Sequence, residues 1–365
     1  MSDRKPLVQA RDRRLALQAV TAEALAREIH ERTGVDATIA EARKIVGAVH
    51  RERLAEPMPQ VRRAVREAAL AVGEAKTLAI VAEQASTVDP FMKLVFAGAD
   101  DLRFEAVRIP LEKESRYSVC VSSQVGCALA CAFCATGRLG LKRNLEVWEI
   151  VEQVRAVRRT LGPGGKIHGV VFQGMGEPLA NLDRVLQAIR IFREPSAQAI
   201  DARNITVCTS GLPTGILRLA KEAPNVRLGL SIGTAIAEKR KTLMPIDDAH
   251  PLRETIAAAA EHARTTNLAP MWAVTLLRGV NDSPEDGRAL ARLVNEFVQM
   301  CGHRPRVSVI PYNAIADEDD PFARTTDERE EAFRAAMRDE GVATHKRYSG
   351  EGNIAAACGQ LAARV

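Results

Sequence analysis

The chain has 365 residues, 46% of them hydrophobic and 27% charged, which is ample for a large core and more than one small domain requires. No long apolar run occurs, and the opening stretch MSDRKPLVQARDRR has no apolar leader segment, so a membrane span and a secretory signal are not expected and a cytoplasmic protein is. Seven cysteines, an odd number, argue against a secreted disulfide framework, and a net charge of +5 is compatible with a polyanionic partner.

Residues 1–90 read as helical and basic. TAEALAREIHERTG and VRRAVREAALAVGEAKTLAIVAEQ are rich in Ala, Leu, Glu and Arg, and Gly34 follows the first like a helix cap. Arg11, Arg13, Arg14, Arg43, Lys44, Arg51, Arg53, Arg62, Arg63 and Arg66 crowd this region, which fits either a solvated helix face or contact with phosphates. A domain junction is expected near residue 90. Residues 91–114 change to short alternating apolar segments, LVFAGADDLRFEAVRIP, expected as a β-rich connector turning at Asp100–Asp101.

From residue 115 to about 350, seven β-rich runs alternate with helical ones: YSVCVSS, IHGVVFQ, NITVCTS, VRLGLSI, PMWAVTLL, RVSVIPY and ATHKRYS. Such alternation predicts βαβ units and a parallel sheet, an α/β fold, and six or seven units fit a full or partial (βα) barrel. Chemistry in parallel barrels gathers at the C-terminal strand ends. A cysteine cluster, CALACAFC, begins just past the first run, with Cys127, Cys131 and Cys134 inside eight positions. A closed zinc site needs four ligands, and no second C-x-x-C pair is present. Three thiolates suit an iron–sulfur cluster with one iron left open to a further ligand.

Blocks along residues 95–365 add to this triplet: CVSSQVGCALACAFCATGRLGLKRNL, GMGEPLANLDRV, LMPID, VIPYN and AACGQL. Together they resemble the radical S-adenosylmethionine (SAM) enzymes of the RlmN/Cfr type, which are RNA adenosine methyltransferases. The resemblance implies a radical SAM partial barrel and a C-terminal tail at 351–365, and the small helical, basic domain of residues 1–90 is expected to be an accessory that binds RNA. The resemblance also implies a 4Fe–4S cluster on Cys127, Cys131 and Cys134, with SAM as second cofactor. Gly174 and Gly176 permit a tight turn after IHGVVF, and Glu177 would face the ammonium of SAM. Ser231 and Asn313 match SAM-contacting positions, and Ile232 and Gly233 could contact it only through backbone. Three further residues match catalytic positions: Cys358 would carry a methyl group, Cys120 would resolve the RNA adduct by forming a disulfide, and Glu105 would remove the ring proton.

The implied partners are 23S rRNA, with tRNA as a further substrate, and an electron donor such as flavodoxin. Methylation at adenine carbon 2 is the leading expectation. Carbon 8 methylation and a nonenzymatic RNA-binding protein with a vestigial cluster are the alternatives. Two departures stand out: Cys208 replaces the family's serine in VCTSG, and SIGTA replaces SLHA.

Overall fold

In a computed structural model the described residues are 14–315, 319–347 and 354–362. The chain divides into two compact units, residues 1–77 with 190–199, and residues 78–189 with 200–365. Arg11 and Arg13 of the basic run lie outside the described residues, as does the tail beyond residue 362. Among the described residues no helix is long and apolar enough to cross a membrane.

The first unit is helical. Helix α1 (Ala22–Thr33) starts on Thr21, whose hydroxyl accepts from the Ala24 N–H, and stops on Gly34 at φ 72°, whose N–H returns to the His30 carbonyl. Helix α2 (Ile39–His50) opens with a reciprocal capping box between Thr38 and Glu41. With α3 (Arg63–Val72) these helices bury Leu25 and Ile29, Ile45 and Val49, and Val65, Ala69 and Val72 at helical spacing. A two-residue ribbon, Leu15–Ala16 beside Gly73–Glu74, closes the unit, and His50 Nδ1 meets Gln198 Nε2 at 2.9 Å.

The second unit is built on one ten-stranded sheet: β1 (Ala79–Ala85), β2 (Met92–Ala97), β3 (Arg103–Pro110), β4 (Arg116–Val121), β5 (Lys166–Phe172), β6 (Ile205–Thr209), β7 (Arg227–Ser231), β8 (Met271–Leu276), β9 (Arg306–Pro311) and β10 (Thr344–Lys346). The strands neighbour one another in chain order. The pairs from β1 to β4 are antiparallel and those from β4 to β10 parallel, so all seven β-rich runs become the parallel strands of an open, partial barrel. Of the helical runs expected between the strands, α4 (Val147–Arg159) lies between β4 and β5, α5 (Pro213–Glu222) between β6 and β7, α6 (Leu252–Thr266) between β7 and β8, α7 (Pro284–Cys301) between β8 and β9, and α8 (Asp327–Asp339) between β9 and β10.

Period-two alternation explains the sheet's two faces. Val119, Val170, Phe172, Val207, Leu228, Trp272, Val307 and Val309 are buried on the helix-covered side, where Trp272 packs edge-on to Phe297 of α7 with centroids 5.1 Å apart. The opposite face carries small or polar residues, among them Ser118, Cys120, Thr206, Cys208, Gly229, Ala273 and Ser308. They leave room inside the barrel.

The reading of residues 1–90 as helical differs from the structure in its last stretch. AIVAEQA is strand β1, an edge strand with no fully buried residue, held by its ladder to β2. Pairing overrides the helical propensity of its Ala, Glu and Gln. The compact units part after Thr77 rather than near 90, and the β-rich stretch 91–114 is continuous with the barrel sheet through the Val107–Cys120 register.

Candidate functional site

The C-terminal ends of the parallel strands open on a cleft with about 940 Å³ of open space. Cys127, Cys131 and Cys134 line it. Their loop leaves β4 through Ser122 and Ser123 and is braced by the ribbon Gln124–Val125 against Arg143–Asn144. Glycine is required there: Gly126 has φ +73°, and a Cβ would lie 1.8 Å from the Gly140 carbonyl oxygen. The loop closes with Cys134 N–H donating to Cys131 O at 3.1 Å and runs into a short helix, Ala135–Arg138.

Burial pushes the Cys127 and Cys131 thiols up to about 12 and raises Cys134 as well. Thiols in such surroundings ionise only beside a cation, and iron supplies one. Among the described residues no three His, Cys, Asp or Glu side chains converge closely enough to share one metal ion. The three thiols line one cleft, and three thiolates with no fourth protein ligand suit a cluster that leaves one iron open. The donor set therefore fits a 4Fe–4S cluster.

Across the cleft, the GMGEP turn follows β5. Gly174 N–H donates to Val121 O, and a Cβ there would meet that oxygen at 2.7 Å. Gly176 has φ +95°, with Gln124 Cβ 2.5 Å from where its own would be. Ser122 Oγ accepts from Met175 N–H and donates to Glu105 O, so the turn, the cysteine loop and β3 are tied together. Glu177 is 3% exposed; its oxygens accept from the Leu179 and Ser210 N–H groups, each at 3.0 Å, and its own N–H donates to Gln124 Oε1. Burial nevertheless raises its carboxyl to about 7. Ser231 and Gly233 line the same cleft.

Two expected SAM contacts are not brought to it. Ile232 is buried, its N–H donates to Ala273 O, and its carbonyl accepts from Arg240 Nη1, so its backbone is already engaged. Asn313 is not among the lining residues, and its amide donates to Pro311 O.

A second, small cavity adjoins the strand ends and is lined by both Cys120 and Cys358. Cys358 also lines the larger cleft. Its tail is pinned to the helix after the cysteine loop: Ala135 N–H donates to Gly359 O at 2.8 Å and Thr136 Oγ1 to Leu361 O at 2.5 Å. Both thiols are free; burial pushes Cys120 up to about 12 and raises Cys358, with the Arg347 cation working in the opposite direction for each. Cys208 is buried with its sulfur 2.6 Å from where a Gly229 Cβ would sit, so the neighbouring glycine makes room for the thiol. Glu105 lines neither cavity. It is 1% exposed on β3, with Lys93 Nζ 3.7 Å from Oε1 supplying countercharge and also 3.5 Å from Ala355 O of the tail.

Sequence reading missed Gln173 and Arg347, which line the cavity of Cys120 and Cys358, and Ser210, which lines the cleft of the cysteine triplet. Gln173 sits between a strand and a glycine turn, and Arg347 directly after a strand, where neither residue type signals chemistry. Only their meeting at the cavity of the two cysteines marks them.

A cysteine triplet at the end of the first parallel strand of a partial (βα) barrel defines a radical SAM enzyme, and the profile of the radical SAM superfamily matches residues 121–286. A relative from Sorangium cellulosum, named a probable RNA methyltransferase, is 56% identical over 93% of this chain and 91% of its own. The dual-specificity RNA methyltransferase RlmN of Syntrophobacter fumaroxidans is 42% identical over 75% of this chain and 77% of its own. The crystal structure of a radical SAM methyltransferase from Sphaerobacter thermophilus matches with a TM-score of 0.85 and 34% identity, covering 96% of this chain and all of that one. The chain belongs to the RlmN-like family of radical SAM RNA methyltransferases. Its cofactors are a 4Fe–4S cluster and SAM.

Proposed function

We propose that this enzyme methylates carbon 2 of an adenosine in 23S rRNA, and in tRNA as a further substrate, through a methyl group carried on Cys358. The observation that supports this reading is the position of Cys358, which lines both the cleft of the cysteine triplet and the cavity of Cys120. The dual specificity in the name of the Syntrophobacter relative supports two classes of RNA.

An electron-poor ring carbon does not displace a methyl group from a sulfonium by itself, so the methyl must first rest on a nucleophile that does. When bound on Cys127, Cys131 and Cys134, the cluster with SAM supplies the deoxyadenosyl radical that activates this methyl. An external one-electron donor such as a flavodoxin would supply the electron that this chemistry requires. Glu177 holds the ammonium of SAM, with Gly176 allowing the close backbone approach. The activated methylene would bond to the ring carbon, Glu105, with Lys93 beside it, would accept the ring proton, and the one electron left over on the ring would pass back to the one-electron couple that began the sequence. Cys120, as thiolate, then attacks Cys358 Sγ in the thioether that joins protein to RNA. The S–S bond forms as the S–CH2 bond breaks, and the electron pair passes to the methylene carbon, which takes a proton and becomes the methyl product. An external dithiol reopens the disulfide.

Removing Cys120 blocks release without blocking attachment. The Cys120→Ala enzyme should therefore co-migrate with RNA on a denaturing gel, and Cys120→Ala with Cys358→Ala should not. Free methylated RNA made at the normal rate by Cys120→Ala would overturn the resolving role. Nucleoside mass spectrometry of RNA treated with the unaltered enzyme should give 2-methyladenosine; 8-methyladenosine would replace carbon 2 with carbon 8.

A further inference from the structure

The side chain of Gln173 stands between the two cavities, lining both, as Cys358 does. Arg347 Nη1 donates to Gln173 Oε1 at 2.9 Å. A guanidinium has donors only, so it fixes the amide oxygen on its own side and turns the amide N–H groups the other way. Gln173 Nε2 then lies 3.5 Å from Cys358 Sγ, within reach for a donor to sulfur. Arg347 is itself held in place. Its N–H donates to Val309 O, and the preceding Lys346 is paired with Asp327 and Glu330 at 3.3 and 3.2 Å.

We propose that Gln173, oriented by Arg347, is a positioning residue that holds the sulfur of Cys358 at the boundary between the cluster cleft and the Cys120 cavity. This rests on the reading that Cys358 carries the methyl group. A thioether keeps the sulfur lone pairs, so the amide donates to the methylated sulfur as it does to the thiol. With one side of the sulfur occupied by that N–H, the methyl is directed away from Gln173. A methyl that rotates freely would spend most of its time out of line with the reacting atoms.

The test loads the holoenzyme with [methyl-13C]SAM and records the 1H–13C resonance of S-methylcysteine at Cys358. The unaltered enzyme and Arg347→Lys should show one resonance displaced from that of free S-methylcysteine. Gln173→Leu and Arg347→Met should collapse it toward the free value. They should also raise the ratio of deoxyadenosine to methylated adenosine by about five- to tenfold, the effect of one lost hydrogen bond. Arg347→Met leaves the residue at the sulfur untouched, so it carries the test if Gln173→Leu fails to fold. A methyl resonance on Cys358 that stays at the unaltered enzyme's position in both variants overturns the positioning role alone. Absence of any methyl on Cys358 in the unaltered enzyme overturns the methyl-carrier reading, and the positioning role with it.

Discussion

Glu177 is a carboxyl buried to 3% exposure with two backbone N–H donors, and burial still outweighs them, setting its titration near about 7. Before SAM binds it is therefore half protonated at neutral pH. If it is the partner of the SAM ammonium, binding must drive that proton off. Affinity for SAM should then tighten nearly tenfold per unit as pH rises toward about 7, and fall again above about 8 as the amino group of SAM loses its own proton. Equilibrium dialysis of the cluster-loaded enzyme between pH 6 and 8.5 reads this directly. Glu177→Gln should flatten the rising limb of the profile and weaken binding by about tenfold to a hundredfold. An unchanged profile in that variant would remove Glu177 from the ammonium site. At this scale the sequence showed well those residues whose type is unusual for their place: three clustered cysteines, a glycine-flanked Glu and a cysteine near the tail. It did not show Gln173 or Arg347, because their importance comes from a tertiary meeting of β5, β10 and the tail. Nor did it show that the Ile232 backbone is spent on Ala273 and Arg240, since only the folded register decides which carbonyls remain open.

Helix α6 carries a different kind of burden. His262 is wholly buried on it, its Nε2 has no hydrogen-bond partner among the described residues, and burial lowers its titration to about 4. The unfolded chain protonates this ring below about 6.5 while the folded one does not. Its contribution is complete above the unfolded value and is lost as pH falls through about 4, amounting to about 3 kcal/mol at most. Chemical denaturation of the unaltered protein against His262→Leu across pH 7 to 4 should show a smaller loss of stability in the variant. Parallel losses would mean that other groups dominate the acid transition. The barrel strands were legible as elements because one face must be large and apolar while the other stays small, which writes an alternation into each run. Strand β1 was not legible, because an exposed edge strand has no buried face to impose a pattern and its identity comes from the neighbouring β2.

For the molecule as a whole, charge is unevenly placed. Residues 1–77 hold fifteen Lys and Arg against eleven Asp and Glu, so they carry +4 of the net +5. Several of the described arginines there are matched by a carboxylate, as in Arg62 with Glu41, Arg43 with Glu23 and Arg63 with Glu67. The exposed pairs Arg43–Glu23 and Arg63–Glu67 are weak, which leaves their cations open to phosphates, whereas Glu41 is buried and holds Arg62 by several bonds. If this unit binds RNA, replacing Arg43, Lys44, Arg51 and Arg63 together with Gln should weaken binding and reduce the slope of log affinity against log salt by nearly one for each phosphate left without its cation. An unchanged slope would make the run a solvated face.

The anchoring of the tail has a consequence for how the enzyme fails. Cys358 is held in place by two bonds onto the helical turn that closes the cysteine loop, one from Ala135 and one from Thr136. Damage that unravels the loop also releases the thiol that, on the proposed chemistry, attaches to RNA. Loss of the loop's fold would therefore disarm the enzyme at both points together.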